Sequence, residues 1–338
     1  MTRTGSPAPT LVEVARLAGV SRATASRAVR GGERVSPEAR AAVEAAVREI
    51  GYRPNQAARS LVTRRTDSIA VVIPESDSTL FTDPFFATVL HGVTTALSST
   101  DLQIVLLVGQ PGERAARMVN YLRAGHADGA IVVSHHRMDN VVEALAESAV
   151  PAVLIGRPWD ASLPLTWVDV DNAGGGRLAA EHLLARGARR PATVAGPADM
   201  AAGRDRLAGW AEVVAAAGLA TDAVEHTDWT ADAAAAATGR LLDDHPDVDG
   251  LFVASDLMAE AAMEVLRGRG IAVPDRVRVV GFDDMGLAAR TRPPLTTVVN
   301  PAPAMSRRAV EMLLAQLEGT GGTESVQFPT ALVVRGSS

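Results

Sequence analysis

At 338 residues, with 47% apolar and 21% charged side chains, the chain is long enough for two or three cored domains and too apolar for a disordered polymer. No run approaches the roughly 20 apolar residues that a spanning helix needs, and residues 1–9 lack the hydrophobic stretch of a secretory signal. Cysteine is absent, which excludes disulfides and thiolate metal sites and fits a reducing cytoplasm.

The net charge of −6 hides an asymmetry. Residues 1–66 carry 12 Arg against five Glu and no Asp, a net +7, which leaves −13 on the remaining 272 residues. A basic head on an acidic body is the pattern of a nucleic-acid-binding segment joined to a solvated sensor.

In chain order, Thr10-Leu11-Val12-Glu13 has capping-box spacing. The helix that it opens, through Ala18, sets Leu11, Val14, Ala15 and Ala18 on one face. Gly19-Val20 interrupts it, and Ser21 is placed to cap a second helix over 22–30, with Ala25, Ala28 and Val29 inward. Gly31-Gly32 ends that helix. Ser36-Pro37 starts a third, with Pro at its favoured first position, and Gly51 stops it. Two short helices about a glycine turn, backed by a third, spell a helix-turn-helix. Its second helix would carry Arg22, Ala23 and Arg27 to bases or phosphates, Arg suiting guanine and Ala a thymine methyl. The plainer alternative is a three-helix bundle with a solvated basic face.

Gly51-Tyr52-Arg53-Pro54-Asn55 reads as a loop, and 56–63 as about two helical turns, too short to stand alone in water. From Leu11 through Val14-Ala15, Ala18-Gly19-Val20-Ser21 and Ser26-Arg27 to Tyr52, Pro54-Asn55, Ala58 and Leu61, the stretch resembles the head and hinge of the LacI/GalR repressors. The resemblance implies DNA contacts at Thr10, Ser21, Arg22, Ala23, Thr24, Ser26, Arg27, Tyr52, Asn55, Ala58 and Leu61. It also implies that paired hinge helices enter the minor groove, with Leu61 wedged into the central step and Ala57 and Ala58 allowing close approach. The alternative is a flexible linker whose Leu61 docks on the body.

From Ser68 onward, apolar runs alternate with amphipathic stretches. Strands are predicted at 69–73, 104–108, 130–133, 152–155 and 167–170, then at 193–195, 251–254 and 277–280. Helices such as 89–97, 177–184 and 259–267 lie between them. The alternation implies an α/β body of two doubly wound lobes with parallel sheets, whose ligand would sit beyond the strands' carboxyl ends, in the cleft between the lobes. The expected organisation is a head over 1–50, a hinge over 51–66 and a sensor over 67–338. Its N-lobe would take about 67–169 and 300–328, and its C-lobe 170–299 and 329–338.

The body resembles the family's sensor, which shares its fold with periplasmic sugar-binding proteins. The resemblance rests on Asp83-Pro84-Phe85-Phe86, Gly156-Arg157, Asp169-Val170-Asp171-Asn172, Arg206 through Trp210, Ser255-Asp256 with Ala259, and Gly281-Phe282-Asp283-Asp284. It implies a pocket wall at Phe85 or Phe86 and a ligand-gripping arginine at Arg206. It further implies a hydroxyl acceptor at Asp283, a stacking aromatic at Trp229, and further positions at Arg157, Asp171, Asn172, Asp256 and Asn300. Each has a structural alternative: core packing for the phenylalanines, a surface pair with Asp205 for Arg206, helix caps for Asp171, Asn172 and Asp256.

The resemblance implies a homodimer on a palindromic operator in double-stranded DNA, switched by a small molecule, with a sugar or sugar derivative favoured over a nucleobase or a protein co-effector. No catalytic motif, cofactor or metal site is predicted. Gly174-Gly175-Gly176 lacks any phosphate-loop pattern, and His135-His136 reads as a loop pair without a third ligand. An enzyme on the same scaffold is the rival of another class.

Overall fold

The computed structural model describes residues 9–29, 34–52, 65–109, 113–322 and 324–338. The chain divides into two compact units, Met1–Thr66 and Asp67–Ser338. Asn55, Ala57, Ala58 and Leu61, with the rest of the predicted hinge helix, lie outside the described residues.

The first unit holds α1 (Leu11–Leu17), α2 (Arg22–Val29) and α3 (Pro37–Ile50). Thr10 and Glu13 close a full capping box at the start of α1, and Gly19 takes φ +67° in the turn to α2, where a Cβ would be strained. Ser36 caps α3, Pro37 fills its first turn and Gly51 ends it in the left-handed region. Val14, Ala15, Ala25, Ala28, Val43 and Ala46 form the buried centre. The small residues let three short helices pack closely enough to exclude water.

The second unit opens with β1 (Ser68–Ile73), α4 (Asp77–Thr82), α5 (Pro84–Leu97), β2 (Gln103–Val108), α6 (Glu113–Arg123), β3 (Gly129–Val133), α7 (Val141–Ala146), β4 (Ala152–Ile155) and β5 (Thr166–Val170). There follow α8 (Asn172–Ala185), β6 (Pro191–Ala195), α9 (Ala201–Ala216), β7 (Val224–His226), α10 (Ala231–Asp244), β8 (Gly250–Val253), α11 (Asp256–Gly268), β9 (Arg278–Asp283) and β10 (Thr296–Val299). It closes with α12 (Ala302–Leu317), β11 (Val326–Phe328) and β12 (Leu332–Val333).

Among the described residues these strands form two six-stranded sheets, ordered β11-β5-β4-β3-β1-β2 and β12-β10-β9-β8-β6-β7. The pairing is parallel except for β12, which runs antiparallel to β10, so the expectation of wholly parallel sheets is corrected at that edge. The chain passes between lobes after β5, after β10 and after β11, and Asn172 and Asn300 stand just past the first two passages. β1, β3 and β4 are almost wholly buried, as largely Val/Ile/Ala runs covered on both faces must be, and β5 is buried too although it carries Thr166 and Asp169.

The helices begin earlier than their apolar periodicity suggests. α5 starts at Pro84 under an Asp83 cap, α8 at Asn172 under an Asp171 cap, and α11 at Asp256 under a Ser255 cap. Caps and first-turn glycines carry no hydrophobic signal. The short edge strands β7, β11 and β12 were not predicted, and neither was β10, because two to four residues give too little alternation to read.

The glycine run at 174–176 has a packing role. A Cβ at Gly176 would strike the Arg206 carbonyl, one at Gly209 the Ala173 carbonyl, and one at Gly175 the Phe282 ring. Glycine on both helices brings α8 and α9 into backbone contact, and that crossing fixes where Arg206 emerges.

Candidate functional site

The carboxyl ends of both sheets face each other across a cleft of about 740 Å³, measured out to its mouth. That space includes open solvent; the enclosed cavity within it is about 90 Å³. At its centre lies Arg206, buried on α9. Its Nε donates to Asn172 Oδ1 at 2.8 Å and its Nη1 to the Ala254 carbonyl at 2.6 Å. The guanidinium lies 3.6 Å from the Phe282 ring centre and 5.3 Å from that of Trp229. Asp283 Oδ1 is 3.8 Å from Nη1 and accepts from Asn300 Nδ2 at 3.2 Å. Asn300 Oδ1 is buried with no hydrogen-bond partner.

Asp283 and Asp284 have φ of +126° and +53°, which non-glycine residues rarely adopt. Three bonds hold this turn. Asp256 Oδ2 accepts from Asp284 N at 2.7 Å, Arg335 Nη2 donates to Asp284 Oδ1 at 2.6 Å, and Asn300 N donates to the Asp283 carbonyl at 3.0 Å. Strain kept in place by surrounding bonds is common at ligand sites.

Burial dominates the electrostatics. It lowers the Arg206 pKa from its ordinary value, against the opposing pull of Asp283, Asp169, Asp83 and Asp256. It raises Asp283, with Arg206 and Asn300 opposing. Asp256 is raised well above the carboxylate range by burial and then by repulsion from Asp283. Burial, reinforced by Asp283, carries Asp83 to about 7. Burial carries Asp169 to about 6 despite bonds from the Arg157 and Val170 amides. The cleft thus presents more carboxyl than guanidinium groups in a dry setting.

Phe85, Phe86, Arg157, Asn172, Arg206, Trp229, Asp283 and Asn300 all line this cavity. Phe86 is also core, 2% exposed. Arg157 turns its guanidinium to Asp205 at 2.5 Å. Asp205 therefore pairs with Arg157 and Arg204, while Arg206 turns inward. Two expected positions stand outside the lining: Asp171 caps α8 through Gly174 N at 2.8 Å, and Asp256 accepts from Thr297 Oγ1 at 2.5 Å behind the Asp283 turn.

Thr79, Asp83, Ser134, His135, Asp169 and Met200 also line the cavity and were not singled out. Asp83 and Asp169 lie in the motifs that carry the family resemblance, and His135 in the pair read as a loop. His135 is buried, its Nε2 donates to the Gly156 carbonyl at 3.2 Å, and burial lowers its pKa to about 4, so the ring is neutral.

On the head, Arg22, Ala23 and Arg27 are exposed on α2, and Arg27 Nε donates to the Ala23 carbonyl at 3.3 Å. Thr24 and Ser26 are half-buried. Ser21 Oγ accepts from Thr24 N at 3.1 Å, and Thr10 Oγ1 donates to Glu13 at 3.0 Å, so both hydroxyls serve caps. Tyr52 packs on the head core.

A helix-turn-helix head joined to a two-lobed body with a polar cleft defines a ligand-responsive, DNA-binding transcriptional regulator. Residues 10–55 match the bacterial regulatory proteins, lacI family, and residues 180–338 the periplasmic binding protein-like domain. The HTH-type transcriptional regulator CelR of Thermobifida fusca is 46% identical over 334 residues, covering 97% of this chain and 98% of its own. A transcriptional regulator CelR-cellobiose complex superposes with a TM-score of 0.78 at 43% identity, over 98% of this chain and all of that one. A lac repressor dimer bound to operator and the anti-inducer ONPF gives 0.87 at 28% identity, over 98% and 99%. The chain belongs to the LacI family of bacterial regulatory proteins. These relatives are regulators, not enzymes. Among the described residues no helix is long and apolar enough to cross a membrane.

Proposed function

We propose that this protein represses sugar-metabolism genes in the cytoplasm, binding a palindromic operator as a homodimer and answering to an uncharged sugar in the interlobe cleft. The observation that carries this is the buried Arg206–Asp283–Asn300 group, which lines a cavity walled by Phe85 and Trp229. A sugar offers hydroxyls that both donate and accept, and C–H faces that pack on aromatic rings. Arg206 is already engaged by Asn172, the Ala254 carbonyl and Asp283, and Arg157 by Asp205, so neither guanidinium is left to balance a phosphate or carboxylate, and an uncharged sugar suits the cleft better. The likeness to the CelR-cellobiose complex makes a glucose disaccharide the first ligand to try.

Reading a palindrome takes two heads about one helical turn apart. Phe81 and Leu106 of the N-lobe are 82% and 41% exposed and border a shared apolar groove, which a second copy would cover. Effector binding would change the angle between lobes and, through the N-lobes, the grip of the heads, with a coupling of ~1–3 kcal/mol. Asn172 and the head positions Thr10, Ser21, Arg22, Ala23, Thr24, Ser26, Arg27 and Tyr52 are proposed in their expected contacts, whereas Asp171 and Asp256, expected to touch ligand, instead cap α8 and brace the Asp283 turn.

Calorimetric titration with cellobiose, glucose and glucose 6-phosphate tests the sensor, and a mobility shift on its own promoter palindrome tests the switch. Cellobiose or another uncharged sugar should bind and alter the shift. Binding of the phosphorylated sugar alone, or of none, would overturn the proposal.

A further inference from the structure

One rim of the cleft is fastened by bonds between the lobes that bypass Arg206, Asp283 and Asn300. His136, in the loop after β3, is held on its own lobe by Glu75 Oε1, 3.2 Å from Nε2, and on the opposite lobe by Asp199 Oδ2, 3.0 Å from Nδ1. Ser134 Oγ donates to the same Glu75 oxygen at 2.6 Å, and His136 N to Asp139 at 2.7 Å, so the ring is fixed before it meets the other lobe. Beside it, Arg137 N donates to the Asp199 carbonyl at 3.0 Å. Further along the rim, Arg157 reaches Asp205 at 2.5 Å, and Arg204 stacks 4.3 Å from the Trp159 ring centre.

All the C-lobe partners lie between Asp199 and Asp205, the lead-in and first turns of α9, the helix that also carries Arg206. The N-lobe partners come from the two loops at the carboxyl ends of β3 and β4. Charge is paired across the gap at both stations, an imidazole on one carboxylate and a guanidinium on another. A rigid helix that is fastened at its edge and bears the central guanidinium one residue away ties lobe closure to the geometry of the site.

We infer that the Asp199–His136 and Asp205–Arg157 pairs form a closure latch, which sets the resting angle between the lobes and through it effector affinity. The latch rests on the reading of the cleft as the effector site, but the distance measurement that decides it needs no effector. A ligand gains affinity when its binding-competent state is already populated, so a latch that holds the lobes together strengthens binding through bonds between the lobes rather than through the Arg206–Asp283–Asn300 group.

The chain has no cysteine, so Met138→Cys and Ala208→Cys, both at exposed positions on opposite lobes, accept spin labels uniquely. Pulsed electron–electron distances on the full-length protein are compared with and without Asp199→Asn plus Asp205→Asn. The latch predicts a longer and broader distance distribution in the double variant. It also predicts cellobiose binding weakened about 5- to 150-fold at an unchanged far-ultraviolet circular dichroism spectrum. An unchanged distance distribution in a folded variant overturns the latch. Should the double variant unfold, each single variant is measured in the same way, and unaltered distances in both would equally overturn it. If the distances lengthen but cellobiose binds neither protein, the latch stands and the sugar assignment falls.

Discussion

Asp205 and Arg206 are consecutive on α9, yet they serve opposite sides of the cleft. Asp205 accepts from Arg157 of the other lobe at 2.5 Å, while Arg206 turns into its own lobe toward Asn172 and the Ala254 carbonyl. Successive residues on a helix point about 100° apart, so one turn of α9 supplies both a cross-lobe tie and a buried cation. The glycine-lined contact with α8 fixes that orientation.

Arg206→Met should leave the Asp283 carboxyl buried without its cation. Removal of one member of a buried pair costs about 3–5 kcal/mol, and chemical denaturation of the variant should show a loss of that order. Adding Asp283→Asn should recover part of it. Equal and additive losses from the two changes would show that the pair is not coupled.

Asp83 gives a pH test. Its carboxyl rises from the ordinary 3.8 to about 7 in the folded protein, so folding favours the protonated form. The sign follows: stability declines as pH climbs from about 4 to 7 and the unfolded chain ionises first, then levels off above 7. Asp83→Asn keeps an acceptor for the Phe85 amide and removes that decline. The variant should melt higher than the parent at pH 8 and close to it at pH 4, each kcal/mol relieved adding about 2–4 °C. Identical melting profiles would disprove the assignment.

His136 titrates in the opposite sense. Burial favours the neutral ring, but Glu75 and Asp199 outweigh it and raise it from 6.5 to about 9, with Asp139 nearby. The cation is favoured in the folded state, so its contribution is complete below about pH 6.5 and vanishes as pH rises through about 9. Between pH 7 and 10 the parent should lose melting temperature more steeply than His136→Gln. Parallel slopes would remove His136 from the account.

On the head, Arg22→Ala and Arg27→Ala should each weaken operator binding. A lost base contact costs about 1–3 kcal/mol and relaxes specificity at one position, whereas a lost phosphate contact lowers the salt slope by about one unit. Mobility shifts at several salt concentrations separate the two. A variant that binds every duplex as the parent does would clear that arginine of any part in the contact.

The sequence alone determined what rests on local chemistry. Thr10 with Glu13, Ser36 with Pro37, and Gly51 fixed the bounds of head helices because caps and left-handed turns depend on nearest neighbours. The Val/Ile runs disclosed the central strands because a parallel strand buried on both faces must be apolar throughout. Only the tertiary structure decided which polar residues meet. Asp205, Arg157, His136 and Asp199 are far apart in the chain, and nothing in their own windows tells an ion pair from a solvated surface charge. Asp171 and Asp256 illustrate the same limit, since a carboxylate beyond a strand end has the same local signature whether it lines the cavity, caps a helix or braces the turn behind it. Folding settles that choice through burial, where each charge must find a partner or hold its proton.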